Sequence, residues 1–258
     1  MVQPEPDLRR IRVRLCKSPP VPENYFGERV AERYDESAAD MFDPAVVGPT
    51  VDFLAALADG GAALELGIGT GRVALPLAER GVQVHGIDLS EAMVAKLRAK
   101  PGAERIGVTI GDFSTTRVEG TFSLAYLVFN TINNLTTQDE QVACFENVAA
   151  HLEPGGSFVI EVGVPTGKPL RVFNLSDTHV GVDEYDADTQ RLVSHHFSLV
   201  DGNWERLSIP FRSVSPAELD LMARLAGMVL RERWADWDRV PFTSESRKHV
   251  SVWEKPAS

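Results

Sequence analysis

The chain has 258 residues, 43% of them hydrophobic and 24% charged, a composition typical of globular proteins. This length favours one domain that carries an additional segment. Its formal net charge of −11 argues against nucleic acid or an anionic membrane surface as a partner. No apolar run reaches the roughly 18 residues that span a bilayer, and no stretch resembles a secretory signal. The two cysteines, Cys16 and Cys144, lie far apart, so we expect a reducing, cytoplasmic location.

Two segments precede the predicted core. Residues 1–22 combine a basic cluster with flanking prolines, which predicts a flexible arm. Residues 23–58 predict a helical cap, with helices at Tyr25–Asp35 and Ala45–Leu57. Because both helices come before the first strand, we expect them to pack over the face or the open end of the sheet.

Residues 59–167 alternate short apolar runs with helical patterns, which is typical of an α/β core. The predicted strands are Ala62–Leu66, Val82–Asp88, Ile106–Ile110, Phe122–Phe129 and Ser157–Val162. The predicted helices are Arg72–Glu79, one that follows the N-cap residue Ser90, and one that runs from the capping box of Thr137 and Glu140 to about His151.

The pattern changes between residues 168 and 213. Strand-like runs occur at His179–Tyr185, Leu192–Val200 and Trp204–Phe211, and Asp201-Gly202 between the last two is a strong hairpin signal. We therefore predict a β-rich antiparallel insertion on the substrate side of the core.

Residues 214–258 return to the α/β pattern and are expected to complete the core. Ser215 and Glu218 form a second capping box, and Gly227 is placed to end that helix. Val229–Trp234 and Lys248–Glu254 are the last two predicted strands.

The first predicted strand runs into the loop Glu65-Leu66-Gly67-Ile68-Gly69-Thr70-Gly71. Glycines between a strand and a helix let the backbone approach a ligand closely. Asp88 ends the next strand, where a carboxylate can accept hydrogen bonds from both hydroxyls of a ribose. Together these features indicate a cofactor that contains adenosine.

The glycine spacing separates two classes of such cofactors. Dinucleotide-binding loops place glycines at the first, third and sixth positions. Counted from Gly67, the third glycine is Gly71 at the fifth position, and Arg72 occupies the sixth. A bulky arginine where a helix must pack closely against a strand argues against NAD or FAD.

The residues from Glu65 to Leu97 resemble the first two motifs of class I S-adenosylmethionine-dependent methyltransferases. Later segments resemble the adenine-binding motif of that family, the loop beside the transferable methyl group and the turn before strand five, in the family's order: Gly111-Asp112-Phe113, Val128-Phe129-Asn130 and Leu152-Glu153-Pro154-Gly155-Gly156. The resemblance covers residues 60–165.

This resemblance implies a Rossmann-like α/β fold: a seven-stranded, mostly parallel sheet with helices on both faces, an antiparallel β insertion after strand five and a final antiparallel hairpin. It implies S-adenosylmethionine as the cofactor and no metal. By matching position, it assigns to the cofactor site Tyr34, Glu65, Gly67, Gly69, Gly71, Asp88, Leu89, Met93, Asp112, Phe113 and Phe129. In the family, residues matching Asp88 and Asp112 bind the ribose and the adenine amino group, and the tyrosine matching Tyr34 lies near the methionine end.

Asn130, Tyr25 and His195 are the candidate catalytic residues. Asn130 matches the loop beside the methyl group, Tyr25 lies on the predicted cap helix, and His195 could act as a general base. His195 and His196 are adjacent in a strand, so at most one can face a pocket. Each candidate also has a structural interpretation, as a loop asparagine, a packing aromatic or a strand histidine.

We expect a methyltransferase that moves a methyl group to a small molecule by direct in-line displacement, as a monomer or homodimer. An amine in bacterial secondary metabolism is the favoured acceptor, because the N-terminal and insertion patterns resemble N-methyltransferases of amino sugars. The alternatives are carbon or oxygen methylation of an indole or phenol, an NAD-dependent oxidoreductase, and a cofactor-binding protein without catalysis.

Overall fold

The computed structural model describes residues 24–37 and 39–257, so the predicted arm at 1–22 lies outside the described residues. The strands in chain order are β1 Ala62–Leu66, β2 Gln83–Asp88, β3 Gly107–Ile110, β4 Phe122–Leu127, β5 Leu152–Gly163, β6 Leu170–Leu175, β7 His179–Asp186, β8 Arg191–Val200, β9 Asn203–Arg212, β10 Val229–Trp234 and β11 Lys248–Glu254. The α-helices are α1 Glu28–Ser37, α2 Pro44–Ala58, α3 Ala74–Glu79, α4 Glu91–Arg98, α5 Gln138–His151 and α6 Pro216–Leu225.

Seven strands form one sheet in the order β10-β11-β5-β4-β1-β2-β3. β3, β2, β1, β4 and β5 run parallel, whereas β11 pairs antiparallel with both β5 and β10. The chain order reverses between β1 and β4, which is where open α/β sheets bind ligands beyond the carboxyl ends of their strands. The predicted Rossmann-like sheet with a final antiparallel hairpin is confirmed.

Each central strand contributes to two hydrophobic cores, one on either face of the sheet. In β4, Leu124 and Tyr126 belong to the core beneath α2 and α3, whereas Ala125 and Leu127 belong to the core beneath α5 and α6. This alternation follows from the two-residue period of a strand. The buried strands therefore hold the loops at their carboxyl ends at fixed positions.

The predicted helix-capping residues form their capping hydrogen bonds in the structure. Both capping boxes form, with Thr137 and Glu140 at the start of α5 and Ser215 and Glu218 at the start of α6. Several boundaries were wrong. β5 begins at Leu152 and not at Ser157, so the residues predicted as the turn before it, Pro154-Gly155-Gly156, lie within the strand. The first cap helix begins at Glu28, so Tyr25 precedes it instead of lying on one of its faces, and α3 begins at Ala74, two residues after the predicted start. No helix within the described ranges is long and apolar enough to cross a membrane.

The insertion after β5 is a four-stranded antiparallel sheet in the order β6-β7-β8-β9. Asp201 and Gly202 adopt left-handed conformations at the predicted hairpin, with φ values of 49° and 78°. The sequence analysis missed β6, because a register shift between Val172 and Asn174 interrupts its apolar and polar alternation and all its residues are exposed. The antiparallel insertion itself is confirmed.

Candidate active site

A cavity of about 1780 Å³ lies beyond the carboxyl ends of the parallel strands, between α1 and one face of the insertion sheet. Most of the residues assigned from the sequence line it: Tyr25, Tyr34, Glu65, Gly67, Gly69, Asp88, Leu89, Met93, Asp112, Phe113, Phe129 and Asn130. Gly71 and His195 do not line it. The fold thus brings together residues that lie more than a hundred positions apart in the chain.

The three glycines of the loop all adopt left-handed φ values, 73° for Gly67, 55° for Gly69 and 82° for Gly71, which favour glycine. Their surroundings differ. A β-carbon on Gly71 would lie 2.3 Å from Cδ1 of Leu97, so this glycine allows α4 to pack behind the loop. A β-carbon on Gly69 would meet nothing closer than Cε of Met93, at 3.5 Å. Gly69 is therefore the glycine at which a ligand can come closest to the backbone.

Asp88 connects the glycine loop to the start of α4. One carboxylate oxygen accepts a hydrogen bond from the Gly69 N–H at 2.6 Å, and the other accepts one from the Ser90 N–H at 2.8 Å. Burial raises the pKa of Asp88, and these two backbone bonds oppose the rise. Asp88 therefore holds the loop in place, a role that the sequence analysis missed, while remaining exposed to the cavity.

Glu65 lies on the floor of the cavity and is almost completely buried. Its carboxylate accepts a hydrogen bond from the Tyr126 hydroxyl at 2.9 Å. Burial raises the pKa of Glu65 to about 8, while the Tyr126 bond, the nearby Arg72 charge and the Ala74 N–H lower it. The Ala74 N–H belongs to the first turn of α3, where Val73 provides no side-chain cap. Glu65 thus completes that turn from the neighbouring strand.

Asp112 and Phe113 follow β3 and form another side of the cavity. Asp112 Oδ1 accepts hydrogen bonds from both the Ser114 N–H and the Ser114 hydroxyl, each at 2.8 Å. The Phe113 carbonyl accepts a bond from the Asn147 amide at 2.8 Å, which fixes this turn to α5. The turn therefore presents a carboxylate and an aromatic ring in a fixed arrangement.

Phe129 and Asn130 both adopt left-handed conformations, with φ values of 56° and 62°. Non-glycine residues seldom adopt this conformation, which recurs in turns and at functional sites. The Phe129 ring is 46% exposed, and the Arg72 guanidinium lies over it at 5.3 Å. Asn130 Oδ1 accepts a hydrogen bond from the Gly163 N–H at 2.7 Å, so the amide N–H of Asn130 is the group it can offer to a ligand.

The cap helix α1 is fixed to the glycine loop mainly by polar contacts. Asp35 accepts a hydrogen bond from the Thr70 hydroxyl at 2.6 Å and forms an ion pair with Lys100 at 2.5 Å. Lys100 also donates to the Thr70 carbonyl at 2.8 Å. These contacts hold Tyr34, the residue before Asp35, against the cavity, where burial raises its pKa. The sequence analysis named Tyr34 but missed the anchoring role of Asp35.

The insertion sheet brings His196, not His195, to the cavity. His195 lies on the opposite face and contacts Ser208 and Glu184, so its assignment as a pocket residue was wrong. His196 stacks on His179 with ring centroids 5.4 Å apart, and Nδ1 of His196 lies 3.2 Å from Nε2 of His179. Burial lowers the pKa of His196. Strand alternation predicted this separation but not which of the two histidines faces the cavity.

Residues 24–37 and 39–257 contain no group of three or more histidine, cysteine, aspartate or glutamate side chains that could hold a metal ion. At the loops after β1, β2 and β3, the groups that line the cavity are instead backbone amides, carboxylates and an aromatic ring. This donor set suits the ribose, the adenine and the methionine end of a cationic nucleoside cofactor.

Comparisons with known proteins agree with this geometry. Residues 63–156 match the family model described as a methyltransferase domain. The chain is 39% identical to the CcbJ methyltransferase of Streptomyces caelestis, over 90% of this chain and 98% of that one, with a TM-score of 0.81. The chain belongs to the class I S-adenosylmethionine-dependent methyltransferases.

Two further relatives of this methyltransferase carry names that state where they act. The cypemycin N-terminal methyltransferase of a Streptomyces species is 28% identical over 86% of this chain and 97% of that protein. The dTDP-3-amino-3,4,6-trideoxy-alpha-D-glucopyranose N,N-dimethyltransferase of Streptomyces venezuelae is 26% identical over 72% and 79%. Membership of the family confirms the predicted enzyme class and cofactor, and it excludes the NAD-dependent alternative.

Proposed function

We propose that this methyltransferase transfers a methyl group to the nitrogen of a small amine in bacterial secondary metabolism. The observation that carries the proposal is that two relatives matching most of the chain are named as an N-terminal methyltransferase and as an amino-sugar N,N-dimethyltransferase. The cavity supports it. Its volume of about 1780 Å³ leaves room for an acceptor beside a cofactor, since ligand pockets usually measure about 300–1,000 Å³.

The proposed cofactor site lies between the loops after β1, β2 and β3. Asp88 would accept hydrogen bonds from the ribose hydroxyls, and Asp112 with Phe113 would bind the adenine. Glu65 and Tyr34 would lie toward the methionine end, and the Gly69 backbone would allow close approach. When bound, S-adenosylmethionine supplies an electrophilic methyl group on a positively charged sulfur.

The chain's own residues would position the acceptor and exclude water. Phe129 and Asn130 lie in the strained loop after β4, where Asn130 can donate its amide N–H to a polar group of the acceptor. Tyr25 lines the same cavity just before α1. Because displacement requires mainly alignment of the reacting atoms, these contacts would supply much of the catalysis.

An ammonium group has no lone pair for attack, so the acceptor must lose a proton before it reacts. We assign this proton to His196, because burial lowers its pKa and keeps the ring neutral near pH 7. A proton accepted at His196 Nε2 would leave the Nδ1–H of that ring to donate to His179 Nε2, and this hydrogen bond would stabilise the imidazolium. His196 thereby replaces His195 as the candidate general base.

A panel assay tests the proposed acceptor class. Purified enzyme is incubated with S-adenosylmethionine and amino sugars, peptide amino termini, phenols or indoles, and release of S-adenosylhomocysteine and product mass are measured. We expect turnover with amines and loss of turnover in Asp88→Ala. Methylation confined to phenols or indoles would contradict the amine assignment and favour oxygen or carbon transfer.

A further inference from the structure

The loop that follows β4 is held to β5 mainly through one residue, Glu161. The Phe129 N–H donates to Oε2 of the Glu161 side chain at 3.1 Å, and the Asn130 N–H donates to the Glu161 main-chain carbonyl at 3.1 Å. The Gly163 N–H completes the arrangement by donating to Asn130 Oδ1 at 2.7 Å. Glu161 therefore binds the backbone N–H groups of both residues that adopt left-handed conformations in this loop.

These bonds stabilise a loop conformation that its own residues disfavour. The left-handed region is unfavourable for a residue with a β-carbon, and Phe129 carries a large ring there. Without acceptors on β5, the backbone of Phe129 and Asn130 would relax toward ordinary φ values. Both residues line the cavity, so such a relaxation would move them relative to a bound acceptor molecule.

The Glu161 side chain occupies an unusual position for a carboxylate. It lies two residues after Val159, so the two side chains share a face of β5, and Val159 is fully buried in the core beneath α2 and α3. The Glu161 side chain is itself only 13% exposed. Charged side chains are rarely buried to this extent unless they have partners. Hydrophobic packing therefore does not account for a glutamate at this position, whereas its polar contacts do.

Lys248 neutralises this carboxylate from the neighbouring strand. Its ammonium lies 3.0 Å from Glu161 Oε1, and the register pairs Lys248 with Gly163 across β11 and β5. The two carboxylate oxygens thus have separate partners, Lys248 for one and the Phe129 N–H for the other. A charged acceptor forms a stronger hydrogen bond with a backbone N–H than a neutral one does. The ion pair therefore orients Glu161 toward the loop.

We propose that Glu161 is a positioning residue for methyl transfer, which aligns the acceptor through the loop of Phe129 and Asn130. This inference rests on the proposed function, in which that loop contacts the acceptor. Neither Glu161 nor Lys248 lines the cavity, so the influence of both must pass through the loop. In a displacement that depends on alignment, a shift of about 1 Å can cost about a hundredfold in rate. A residue outside the cavity can therefore control turnover.

The same contacts argue for a role in alignment and against one in cofactor binding. Glu161 bonds to the loop after β4 and to β11, whereas the proposed ribose and adenine sites lie in the loops after β2 and β3. Asp88 and Asp112 are held by N–H groups of their own surroundings. Loss of the Glu161 side chain should therefore change the Kd for S-adenosylmethionine by no more than about twofold. It should lower kcat about tenfold to a hundredfold.

Three variants separate the bond to the Phe129 N–H from the ion pair. Glu161→Ala removes both. Glu161→Gln combined with Lys248→Met removes the ion pair and keeps a side-chain oxygen for the Phe129 N–H, so it should recover most of the turnover lost in Glu161→Ala. Glu254→Ala is the matched control, because Glu254 forms an ion pair with Arg231 at 3.5 Å between the neighbouring strands β11 and β10.

Turnover is measured with the most active acceptor from the panel described above, and the Kd for S-adenosylmethionine by calorimetry. We expect a reduced kcat in Glu161→Ala, a near-normal kcat in the double variant and the control, and a nearly constant cofactor Kd in all of them. A wild-type kcat in Glu161→Ala, or equal losses in Glu161→Ala and the double variant, would overturn the proposal. A parallel loss of cofactor affinity, which general destabilisation predicts, would overturn it as well.

Amide exchange gives a second test that needs no acceptor. In protein that carries isotope-labelled phenylalanine, NMR measures the solvent exchange of the Phe129 N–H. We expect exchange about tenfold faster in Glu161→Ala than in the wild type or the double variant, because local opening exposes the amide. Equal exchange in all three proteins would show that Glu161 does not hold the loop and would overturn the proposal.

The two proposals fail in different ways. A panel that selects phenols or indoles would contradict the proposed amine acceptor without changing the exchange rate of the Phe129 N–H. The same variants are then measured with the selected phenol or indole, and the expected order of kcat values is the same.

Discussion

The Tyr126 hydroxyl donates a hydrogen bond to the Glu65 carboxylate across 2.9 Å and so joins β4 to β1 at the floor of the cavity. Both side chains are buried, and burial raises the pKa of Glu65 to about 8. A pKa of about 8 favours the protonated carboxyl group at pH 7 in the protein without cofactor. This protonation state gives the site a measurable response to a cationic ligand.

Binding of S-adenosylmethionine should release a proton from Glu65, because a positive charge nearby favours the ionised carboxylate. Calorimetry at pH 7 in buffers with different ionisation enthalpies measures that release. Glu65→Gln is the control, because it retains any titration of the ligand's own amino group. Equal proton release by the wild type and Glu65→Gln would show that Glu65 does not respond to the cofactor.

The same pKa predicts how stability depends on pH. The ordinary pKa of glutamate is 4.5 and the value in the folded protein is about 8, so between these values the folded state holds a proton that the unfolded state has lost. The stability contributed by Glu65 should therefore be present below pH 4.5 and be lost as the pH rises through 8. Urea titrations across this range should show a shallower decline for Glu65→Gln than for the wild type.

Alanine substitutions at two glycines should separate cofactor binding from folding. Gly71→Ala places a β-carbon 2.3 Å from Leu97, so we expect a loss of about 2–4 kcal/mol in unfolding free energy from strain and overpacking. Gly69→Ala meets no such contact and should cost about 1–2 kcal/mol, while weakening S-adenosylmethionine binding about tenfold or more. Denaturation and calorimetry measure the two effects, and equal cofactor affinity in Gly69→Ala and the wild type would remove Gly69 from the site.

Asp88→Asn should weaken S-adenosylmethionine binding by about 1–3 kcal/mol, because charge-assisted hydrogen bonds are lost. The asparagine amide would also place a donor against either the Gly69 or the Ser90 N–H, so the melting temperature should fall. Glu91→Gln removes an exposed carboxylate from the same segment and serves as the control. An affinity that matches this control would argue against contact between Asp88 and the ribose.

Asp35→Asn and Lys100→Met should each loosen the cap helix α1. Ala31 is the buried hydrophobic residue of that helix, so its position depends strongly on the bonds of Asp35 to Thr70 and Lys100. We expect faster release of S-adenosylhomocysteine and a higher KM for S-adenosylmethionine, with a smaller change in kcat.

Stopped-flow fluorescence measures the release rate in these variants. The double variant should be less than additive because both changes break one network. Asp40→Asn, in the exposed short helix that follows α1, is the control. Unchanged release in both single variants would show that Asp35 and Lys100 do not control the cap.

The parts of the fold that depend on local patterns could be predicted from the sequence. The capping boxes of Thr137 and Ser215 are hydrogen bonds between residues three positions apart. The shape of the glycine loop depends on the left-handed backbone conformation of each glycine. Gly71 at the fifth position, with Arg72 behind it, argued against a dinucleotide, and the resemblance of the ordered motifs to the methyltransferase family implied S-adenosylmethionine. These signals are contained within short stretches of chain.

Contacts between residues that lie far apart in the sequence could not be predicted from local patterns. The bond from Tyr126 to Glu65 spans 61 positions, and the bond from Thr70 to Asp35 spans 35. Strand alternation separates His195 from His196, but the face that meets the cavity depends on how the insertion sheet docks. The alternation in β6 is interrupted by the register shift between Val172 and Asn174, which depends on its pairing with β7.

The strand order has a consequence for synthesis on the ribosome. β11, near the end of the chain, lies between β5 and β10, and Val250, Val252 and Trp253 are fully buried. β10 therefore cannot join the sheet until residues up to Glu254 have left the exit tunnel. The nascent chain would expose the unpaired edge of β5 until β11 has emerged and paired with it, so chaperone capture and early aggregation should be most sensitive to mutations in β5 and β11.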